Sequence, residues 1–533
     1  MAAITILDTT LRDGALTEDV NLSVADKLRL APLIDSLGVT YIEGGWPQVT
    51  PSDIDFLRQA ADLNLKARLV AFGPTRRPET RPERDSGMRA LLDAGTPTVQ
   101  LYGKVWPLHV EKVLRTNLDE NIVMLRESIE YMRGHGKEVL VIAEHFFDGY
   151  RDNPEYAMRF VRTALECGAD ILTLGDSNGG TLPGGIKEGV SRTLERAAGT
   201  PVGFHVHNDC GLALANAIAA IEAGATHAQG SVNGYGARNG ITDLTALIPL
   251  MKLRLGLEVV SDEQLARITP VARTIAEFVG LGAQMRDRPF VGQKVFAHKT
   301  ETHIAAVLSN PEAYEPIPPQ KVGNQRRMVI PSVQRPAYLA RIAEAYGVDL
   351  RVQSAANSAI LAELKRLEDE GYSFEDAPAS LELSLGLLSG HFQPVLHVER
   401  VRLFETIRER ERPVVEAALR VRIGDETEYV AAEADAPGEA LLSVIRSALD
   451  LARDRTLGEY ARRIRIESFR ARTLHQHPNP MRIRASLSFT DGQREWTTIG
   501  ISHDFIQAAW KALIDGVEYG LVTRDQQRAQ AAD

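Results

Sequence analysis

Residues 4–14 read Ile-Thr-Ile-Leu-Asp-Thr-Thr-Leu-Arg-Asp-Gly, a short apolar run that leads into an arginine and an aspartate. Residues 202–209 have a similar layout, because an apolar run there leads into His205 and His207. The two histidines are two positions apart, so on an extended strand both face the same side. A His-x-His pair alone equally fits two polar residues at the end of a strand. Together with Asp13, however, the two imidazoles make a ligand set for a catalytic divalent ion, with Arg12 beside it.

The first half of the chain alternates between strand-like and helix-like patterns. Short apolar runs, typical of buried strands, occur at residues 3–7, 39–44, 67–72, 98–102, 139–143, 171–174, 202–206 and 226–232. Amphipathic stretches with helical spacing lie between them, for example at residues 24–37, 110–132 and 212–223. Such alternation predicts a parallel sheet. Eight strand–helix units in about 255 residues favour a closed (β/α)8 barrel, the TIM barrel, over an open doubly wound sheet.

Polar side chains follow most of these predicted strands at the point where each strand ends. In a barrel of this kind the carboxyl ends of all strands meet at one rim, and the chemistry occurs there. Any one of these side chains also fits an ordinary cap or loop position, but their coincidence at one rim predicts an active site. They are Arg12, Asp13, Glu43, Lys104, Glu144, Asp176, Ser177, His205, His207, Asn233 and Arg238.

Composition narrows the class of protein. The formal net charge of -10 argues against broad binding of nucleic acid or of anionic membranes. No run approaches the roughly 18 apolar residues of a membrane span, and the first residues do not have a signal-peptide pattern, so a cytoplasmic protein is expected. The two cysteines, Cys167 and Cys210, are too few for a disulfide framework or a cysteine metal cluster.

Beyond the barrel the pattern changes. Residues 261–390 have mainly helical spacing, whereas residues 415–423 and 481–489 alternate strictly between apolar and polar side chains. Strict alternation is typical of a sheet with one buried face. With helical stretches at residues 438–453 and 505–519, the last part is predicted to be an α+β domain. We therefore predict three domains, at residues 1–260, 261–390 and 391–525.

Several motifs, in order along the chain, resemble the citramalate synthase branch of the isopropylmalate and homocitrate synthase superfamily of metal-dependent barrels. In the barrel the resemblance rests on residues 8–14, 42–47, 103–106, 144–150, 176–183 and 205–209. It resumes at residues 296–299 and 303, 314–315, 322–324, 326–327 and 502–519. Nearly the whole chain is therefore covered.

This resemblance implies a Claisen-type condensation of acetyl-CoA with a 2-oxo acid, expected to be pyruvate, followed by thioester hydrolysis. The products would be (R)-citramalate and CoA, in isoleucine biosynthesis. It also implies a helical linker subdomain after the barrel and a C-terminal regulatory domain that pairs between subunits. A homodimer with isoleucine as feedback ligand is therefore expected, without nucleic-acid or membrane partners.

The resemblance also implies roles for particular residues. Asp13, His205 and His207 would hold the metal ion, which is Mg, Mn, Zn or Co, and chelate the 2-oxo acid to it. Arg12 would stabilise the developing oxyanion. Glu144 would position the 2-oxo acid or the hydrolytic water, unless it only pairs with Arg12. Substrate binding is predicted for Arg12, Glu43 and Ser177, although Glu43 alternatively only holds Arg12. His303 is the predicted general base, with a surface histidine as the alternative.

The loop after the eighth strand departs from the family pattern. Ala237 replaces the usual glutamate, and Ile241 stands where the family has an asparagine that commonly completes the metal shell. Water or Asn239 would then fill that position. These changes leave open a homologue that uses another 2-oxo acid and a catalytically impaired amino-acid-binding protein. A retro-aldol or retro-Claisen lyase is the third alternative, because the same barrel and metal triad also serve such enzymes.

Overall fold

The computed structural model describes residues 4–329, 339–340, 343–344, 349–350, 352, 354–375, 377–406, 413–474 and 481–530. These residues form two compact units. The first contains the chain up to Ala297 together with Ala306–Arg327, and the second contains His298–Ala305 and the described chain from Met328 onward. The division into three domains stays a prediction. Within the described ranges no helix is both long and apolar enough to cross a membrane.

The first unit is a closed barrel of eight parallel strands in chain order, so the predicted TIM barrel is confirmed. Strand β1 closes the barrel by pairing with β8, from Thr5 opposite His227 to Asp8 opposite Gly230. The strands are β1 (Thr5–Asp8), β2 (Tyr41–Gly45), β3 (Arg68–Pro74), β4 (Thr98–Lys104), β5 (Glu138–Glu144), β6 (Ile171–Asp176), β7 (Val202–Val206) and β8 (His227–Gly230).

Helices follow the strands and cover the outside of the barrel through one large apolar cluster. The helix α1 begins at a capping box, in which the side chains and backbones of Ser23 and Asp26 bond reciprocally. The helices are α1 (Val24–Asp35), α2 (Ser52–Ala60), α3 (Ser86–Asp93), α4 (Pro107–Lys112), α5 (Leu118–Gly134), α6 (Phe146–Asp152), α7 (Pro154–Glu166), α8 (Pro183–Leu194), α9 (Ala213–Glu222), α10 (Leu244–Pro249), α11 (Asp262–Ala266) and α12 (Ile268–Phe278).

Along the barrel axis, a layer of apolar side chains inside the barrel is followed by a layer that contains polar side chains. Side chains of five strands form a separate buried cluster, made of Leu7, Tyr41, Val70, Leu140 and Ile171. Side chains alternate along a strand, so two residues further on the same face carries Glu43 on β2 and Thr173 on β6. Both are fully buried. Polar groups therefore occupy the level nearer the carboxyl ends, where the predicted site lies.

The second unit contains two three-stranded antiparallel sheets. A two-stranded sheet, β9 (Ala297–His298) with β10 (Arg327–Met328), precedes them. The two sheets are β11 (Leu396–Thr406), β12 (Val414–Ile423) and β13 (Glu426–Ala434), then β14 (Arg465–Leu474), β15 (Arg482–Thr490) and β16 (Glu495–Ser502). The division between the two units falls within α13 (Glu301–Ser309), after Ala305. The other helices of the second unit are α14 (Ala355–Asp369), α15 (Pro378–Leu388), α16 (Pro437–Leu451), α17 (Arg455–Ala461) and α18 (Phe505–Gln530).

The predicted alternation is found on β12 and, from Ala485 onward, on β15, where Ile483 is only half-buried. On β12 every second residue from Val415 to Val421 is fully buried, and on β15 Ala485, Leu487 and Phe489 are buried. Met481, which the pattern placed on the buried face, is exposed because it precedes the first residue of β15. The α+β character of this region is therefore confirmed.

Candidate active site

The three predicted metal ligands converge at the carboxyl end of the barrel. One ligand atom from each of Asp13, His205 and His207 lies within 4.8 Å of the others, and all three residues are buried. Oδ2 of Asp13 is 3.6 Å from Nε2 of His205. The Nδ1 atom of His207 is buried and has no hydrogen-bond partner among the described residues. An unpartnered buried nitrogen beside a carboxylate and a second imidazole fits a divalent metal ion.

The charges of these groups also suit a metal ion. Burial alone would raise the pKa of Asp13, but the Arg12 guanidinium, with smaller contributions from the two histidines, lowers that pKa to about 2. Burial lowers the pKa of His205 to about 3 and also lowers the pKa of His207. At neutral pH the site therefore offers a carboxylate and two neutral imidazoles, the protonation states that bind metal ions.

Arg12 lies between two carboxylates next to these ligands. Its Nη1 donates to Oδ2 of Asp13 at 2.7 Å, and its Nε donates to Oε2 of Glu43 at 2.5 Å. The guanidinium carbon is 3.9 Å from the centroid of the Phe72 ring. The Nη2 atom has no hydrogen-bond partner among the described residues, so one donor of the held guanidinium stays available. Glu43 contacts Arg12, as one of the two sequence interpretations predicted.

Glu144, at the end of β5, has a different partner from the one considered in the sequence. Its Oε2 lies 2.5 Å from Nζ of Lys104, at the end of β4, and the two strands pair at these residues. Arg12 pairs with Glu43 instead, because β2 neighbours β1 in the barrel. Glu144 keeps about a quarter of its side chain exposed, so it remains accessible to a ligand at the rim.

Ser177 and Arg238 lie on loops that converge at the same rim. The Ser177 hydroxyl accepts a hydrogen bond from the backbone N–H of His145 at 2.9 Å. Nη2 of Arg238 donates to the backbone carbonyl of Ser177 at 2.7 Å and to Oδ2 of Asp209 at 2.8 Å. The Arg238 side chain, on the loop after β8, therefore forms hydrogen bonds with the loops that follow β6 and β7.

The loop that departs from the family pattern lies against Asp13. The backbone N–H of Ala237 donates to Oδ1 of Asp13 at 3.1 Å. Ile241 forms a backbone bridge with His207 and is buried, so its side chain contributes only apolar surface. Asn239 is exposed and its amide nitrogen donates to the carbonyl of Asn208 at 2.8 Å. Its role as a fourth ligand stays a prediction.

His303 belongs to the second unit, whereas the site residues described so far belong to the first. It lies near the start of α13, is half-buried, and its backbone N–H donates to the Thr300 hydroxyl at 3.4 Å. Its role as the general base therefore stays a prediction.

Three buried polar residues of the barrel escaped the sequence analysis. Thr9 donates to Oε2 of Glu43 at 2.6 Å, Gln100 on β4 donates to Oε1 of Glu43, and Gln229 on β8 contacts His205. For Gln100 and Gln229 the sequence signal was a polar residue within a strand, whereas Thr9 directly follows β1. Such a signal becomes informative once the strand's inward face is known.

Two family profiles match this chain. The HMGL-like profile matches residues 3–275, and the homocitrate synthase post-HMGL domain-like profile matches residues 290–372. The first match contains every barrel residue of the candidate site, and the second contains His303.

Individual relatives are similar over almost the whole chain. The (R)-citramalate synthase of Aquifex aeolicus is 38% identical over 528 residues, which are 98% of this chain and 98% of the relative. The (R)-citramalate synthase of Synechocystis sp. is 40% identical over 533 residues, with 97% and 96% covered. The 2-isopropylmalate synthase of Methanocaldococcus jannaschii is 25% identical over 525 residues, with 98% and 95% covered. Similarity to the two citramalate synthases therefore exceeds similarity to this isopropylmalate synthase.

Proposed function

Since this chain belongs to the (R)-citramalate synthase family, we propose that it performs the reaction of that family with a divalent metal ion on Asp13, His205 and His207. The chain is an acyltransferase that condenses acetyl-CoA with pyruvate and releases (R)-citramalate and CoA. The convergence of the three ligand atoms within 4.8 Å carries the metal proposal. Neither the lyase nor the impaired-protein alternative gains support from these relatives.

The metal ion, when bound, would polarise the keto carbonyl of pyruvate as a Lewis acid. Arg12 would stabilise the alkoxide that develops on this carbonyl oxygen as the new carbon–carbon bond forms. Its Nη1 and Nε are held by Asp13 and Glu43, which leaves Nη2 to donate to the oxyanion. A guanidinium held on two sides needs little reorganisation when the negative charge appears, and this is the condition for strong electrostatic stabilisation.

Glu144 and Ser177 would orient the substrate at the same rim. The ion pair with Lys104 keeps Glu144 at the end of β5. From there its carboxylate would accept a hydrogen bond from the water that hydrolyses the thioester. The Ser177 hydroxyl accepts from His145, so its own proton is available for the carboxylate of pyruvate.

The reaction also needs a base, for which we propose His303. A neutral imidazole would take a proton from the methyl group of acetyl-CoA, and the resulting carbon nucleophile would attack the keto carbon of pyruvate. Water then cleaves the thioester, and CoA leaves as the thiol. The support is the match of this segment to the homocitrate synthase post-HMGL domain-like family.

Release of free CoA tests this function. The purified chain is assayed with acetyl-CoA, Mg²⁺ or Mn²⁺, and a panel of 2-oxo acids, and we expect the fastest release with pyruvate. A chelator should stop the reaction, and His207→Ala should abolish metal-dependent turnover. His135→Ala is the matched control because His135 is exposed beyond the end of α5. No CoA release from any 2-oxo acid, with metal binding verified, would contradict the proposal.

We also propose that the protein acts in the cytoplasm as a homodimer in isoleucine biosynthesis, and that isoleucine inhibits it through the C-terminal sheets. Metal identity is testable by adding Mg, Mn, Zn or Co to the metal-free protein. A truncation that tests feedback must end before Leu396, since a cut near residue 413 would strip β12 from β11, with which it pairs. If the truncated chain stays active and isoleucine still inhibits it, the regulatory assignment is wrong.

A further inference from the structure

A chain of hydrogen bonds crosses the inside of the barrel from Glu43 to the metal ligand His205. Nε2 of Gln100 donates to Oε1 of Glu43 at 2.5 Å, and Nε2 of Gln229 donates to Oε1 of Gln100 at 2.6 Å. Oε1 of Gln229 then lies 3.2 Å from Nδ1 of His205. Glu43, Gln100 and Gln229 have almost no exposed surface. Water therefore does not substitute for any of these partners.

The donors and acceptors of this series of hydrogen bonds can be arranged in only one way. Glu43 is an acceptor, and its other oxygen already accepts from Arg12 and Thr9. Gln100 must therefore turn its NH₂ group toward Glu43, which leaves its oxygen facing Gln229. A reversed Gln100 would bring its amide oxygen against the carboxylate, with a buried repulsion and no hydrogen bond.

The orientation of Gln100 also determines which ring nitrogen of His205 carries the proton. Because Gln100 presents an oxygen, Gln229 must present its NH₂ group to Gln100 and its own oxygen to His205. An oxygen accepts only from a protonated ring nitrogen, so Nδ1 of His205 carries the proton. In a neutral imidazole the other nitrogen, Nε2, then has the free lone pair, and Nε2 is the atom that lies 3.6 Å from Oδ2 of Asp13.

The second amide hydrogen of Gln229 faces two buried acceptors, the Thr173 hydroxyl at 3.3 Å and a ring nitrogen of His227. Nε2 of Gln229 lies 3.2 Å from Nε2 of His227, whose Nδ1 lies 2.8 Å from the Thr5 hydroxyl. Burial lowers the pKa of His227 to about 3, so this ring is neutral. It accepts from Gln229 at Nε2 and donates from Nδ1 to Thr5, whose hydroxyl lies 3.4 Å from the carbonyl of Thr226. Both contacts involve the NH₂ group of Gln229, so they leave the orientation of Gln229 unchanged.

We propose that Gln100 and Gln229 are positioning residues through which the carboxylate of Glu43 sets the tautomer of His205, with Nδ1 protonated and Nε2 free for the metal ion. This inference rests on the proposed metal site. It accounts for two glutamines inside a barrel, where bulky apolar side chains are the rule. Glu43 thus acts at both ends of the site: it holds Arg12 directly, and it orients His205 across the barrel.

The tautomer is directly measurable. The full chain is labelled with ¹⁵N in its histidines, freed of metal, and examined by long-range proton–nitrogen NMR, with His205 assigned from its absence in His205→Ala. We expect wild-type His205 to be protonated at Nδ1. In Gln229→Met, which has a similar volume and no amide, we expect a mixture of tautomers. Gln100→Met should have the same effect in weaker form, because Gln229 is then free to turn.

Mn²⁺ affinity, followed from the electron paramagnetic resonance signal of the free ion, is the second readout. Gln229→Met should bind Mn²⁺ about 10 to 100 times more weakly, the usual effect of losing a partner of a metal ligand. Thr98→Val is the matched control: Thr98 lies two residues before Gln100 on β4, is fully buried, and donates to Glu138 instead. It should keep the wild-type affinity and tautomer.

The outcomes separate this inference from the proposed metal site. If His205 of the wild-type protein is protonated at Nε2, the inference is wrong even if Mn²⁺ binds normally. It is also wrong if Gln229→Met keeps both the wild-type tautomer of His205 and the wild-type affinity for Mn²⁺. A wild-type chain that binds no divalent ion overturns the metal site instead. If the glutamine variants fail to fold, the tautomer of His205 in the wild-type spectrum alone decides whether the inference is correct.

Discussion

Arg12 and Glu43 form an ion pair in the barrel, with Nε 2.5 Å from Oε2 and no exposed surface on the carboxylate. Glu43 also accepts from Thr9 and Gln100, so its two oxygens are held by three donors. A charge buried in this way is stable only with its partners, because an unpaired buried charge is strongly unfavourable. The orientation of the guanidinium is thereby determined by the barrel and not by the substrate.

Glu43→Gln tests this dependence. The variant keeps the shape but loses the charge that holds Nε of Arg12, so we expect kcat for CoA release to fall by about 10²-fold, the typical effect of a small misplacement. Glu138→Gln is the matched control, since Glu138 pairs with Arg68 at the amino-terminal edge of the barrel. A Glu43→Gln enzyme with wild-type kcat would show that Arg12 needs no such support.

Arg12→Lys tests the role of the guanidinium itself. Lysine keeps the charge, but its three donors are on one nitrogen and lack the planar fork by which Arg12 bonds both carboxylates and leaves Nη2 for an oxyanion. We expect kcat to fall by about 10² to 10³-fold, with a smaller change in the KM for pyruvate. Arg68→Lys, at an exposed pair, should leave kcat unaltered. An equal effect of both substitutions would remove Arg12 from the reaction.

Ile241→Asn tests the departure from the family pattern. A Cβ atom on Gly236 would lie 3.0 Å from Cγ2 of Ile241 and 3.1 Å from Oδ1 of Asp13, so the Ile241 side chain lies beside the metal ligands. An amide oxygen in its place offers a further ligand, and we expect Mn²⁺ to bind roughly tenfold more tightly, equivalent to about 1.4 kcal/mol. Ile241→Leu should not tighten binding. Unchanged affinity in Ile241→Asn would mean that this position does not reach the ion.

Asp8→Asn tests a pH effect on stability. Burial raises the pKa of Asp8 to about 7, even though Thr10 donates to it from its backbone and its hydroxyl. Because the pKa of Asp8 is higher in the folded state, its protonation stabilises the fold. This stabilisation is complete below about pH 4, falls as the pH rises, and is absent above about pH 7. Thermal denaturation should therefore show a larger gain in Tm from Asp8→Asn at pH 8 than at pH 5. An equal shift at both pH values would contradict the raised pKa.

Much of the fold was predictable from local pattern. Apolar runs separated by amphipathic stretches identify the eight strands, because each strand is buried on both faces and each helix on one. The triad was predictable for a related reason: the carboxyl ends of parallel strands meet at one rim, so Asp13 after β1 and His205 and His207 at the end of β7 are brought together. The exposed Met481 shows the limit of pattern, since alternation does not mark where a strand begins.

Apart from the contact of Glu43 with Arg12, which the sequence offered as one of two interpretations, the hydrogen-bond partners at the site were not predictable. Glu144 was considered as a partner of Arg12, but β5 pairs with β4, so Glu144 meets Lys104. The partners of the glutamines on β4 and β8 were not predictable, because one polar residue within a strand does not reveal what lies opposite it in the barrel.

The amino-acid sequence by itself determined which residues form strands and helices, and which residue types stand at the strand ends, because both depend on neighbours close along the chain. Only the tertiary structure decided which side chains share a hydrogen bond. Glu43 contacts Arg12 and Gln100, and Gln100 contacts Gln229, 129 residues further along. Such pairs are selected by closure of the barrel, where a buried donor must find an acceptor and water is excluded.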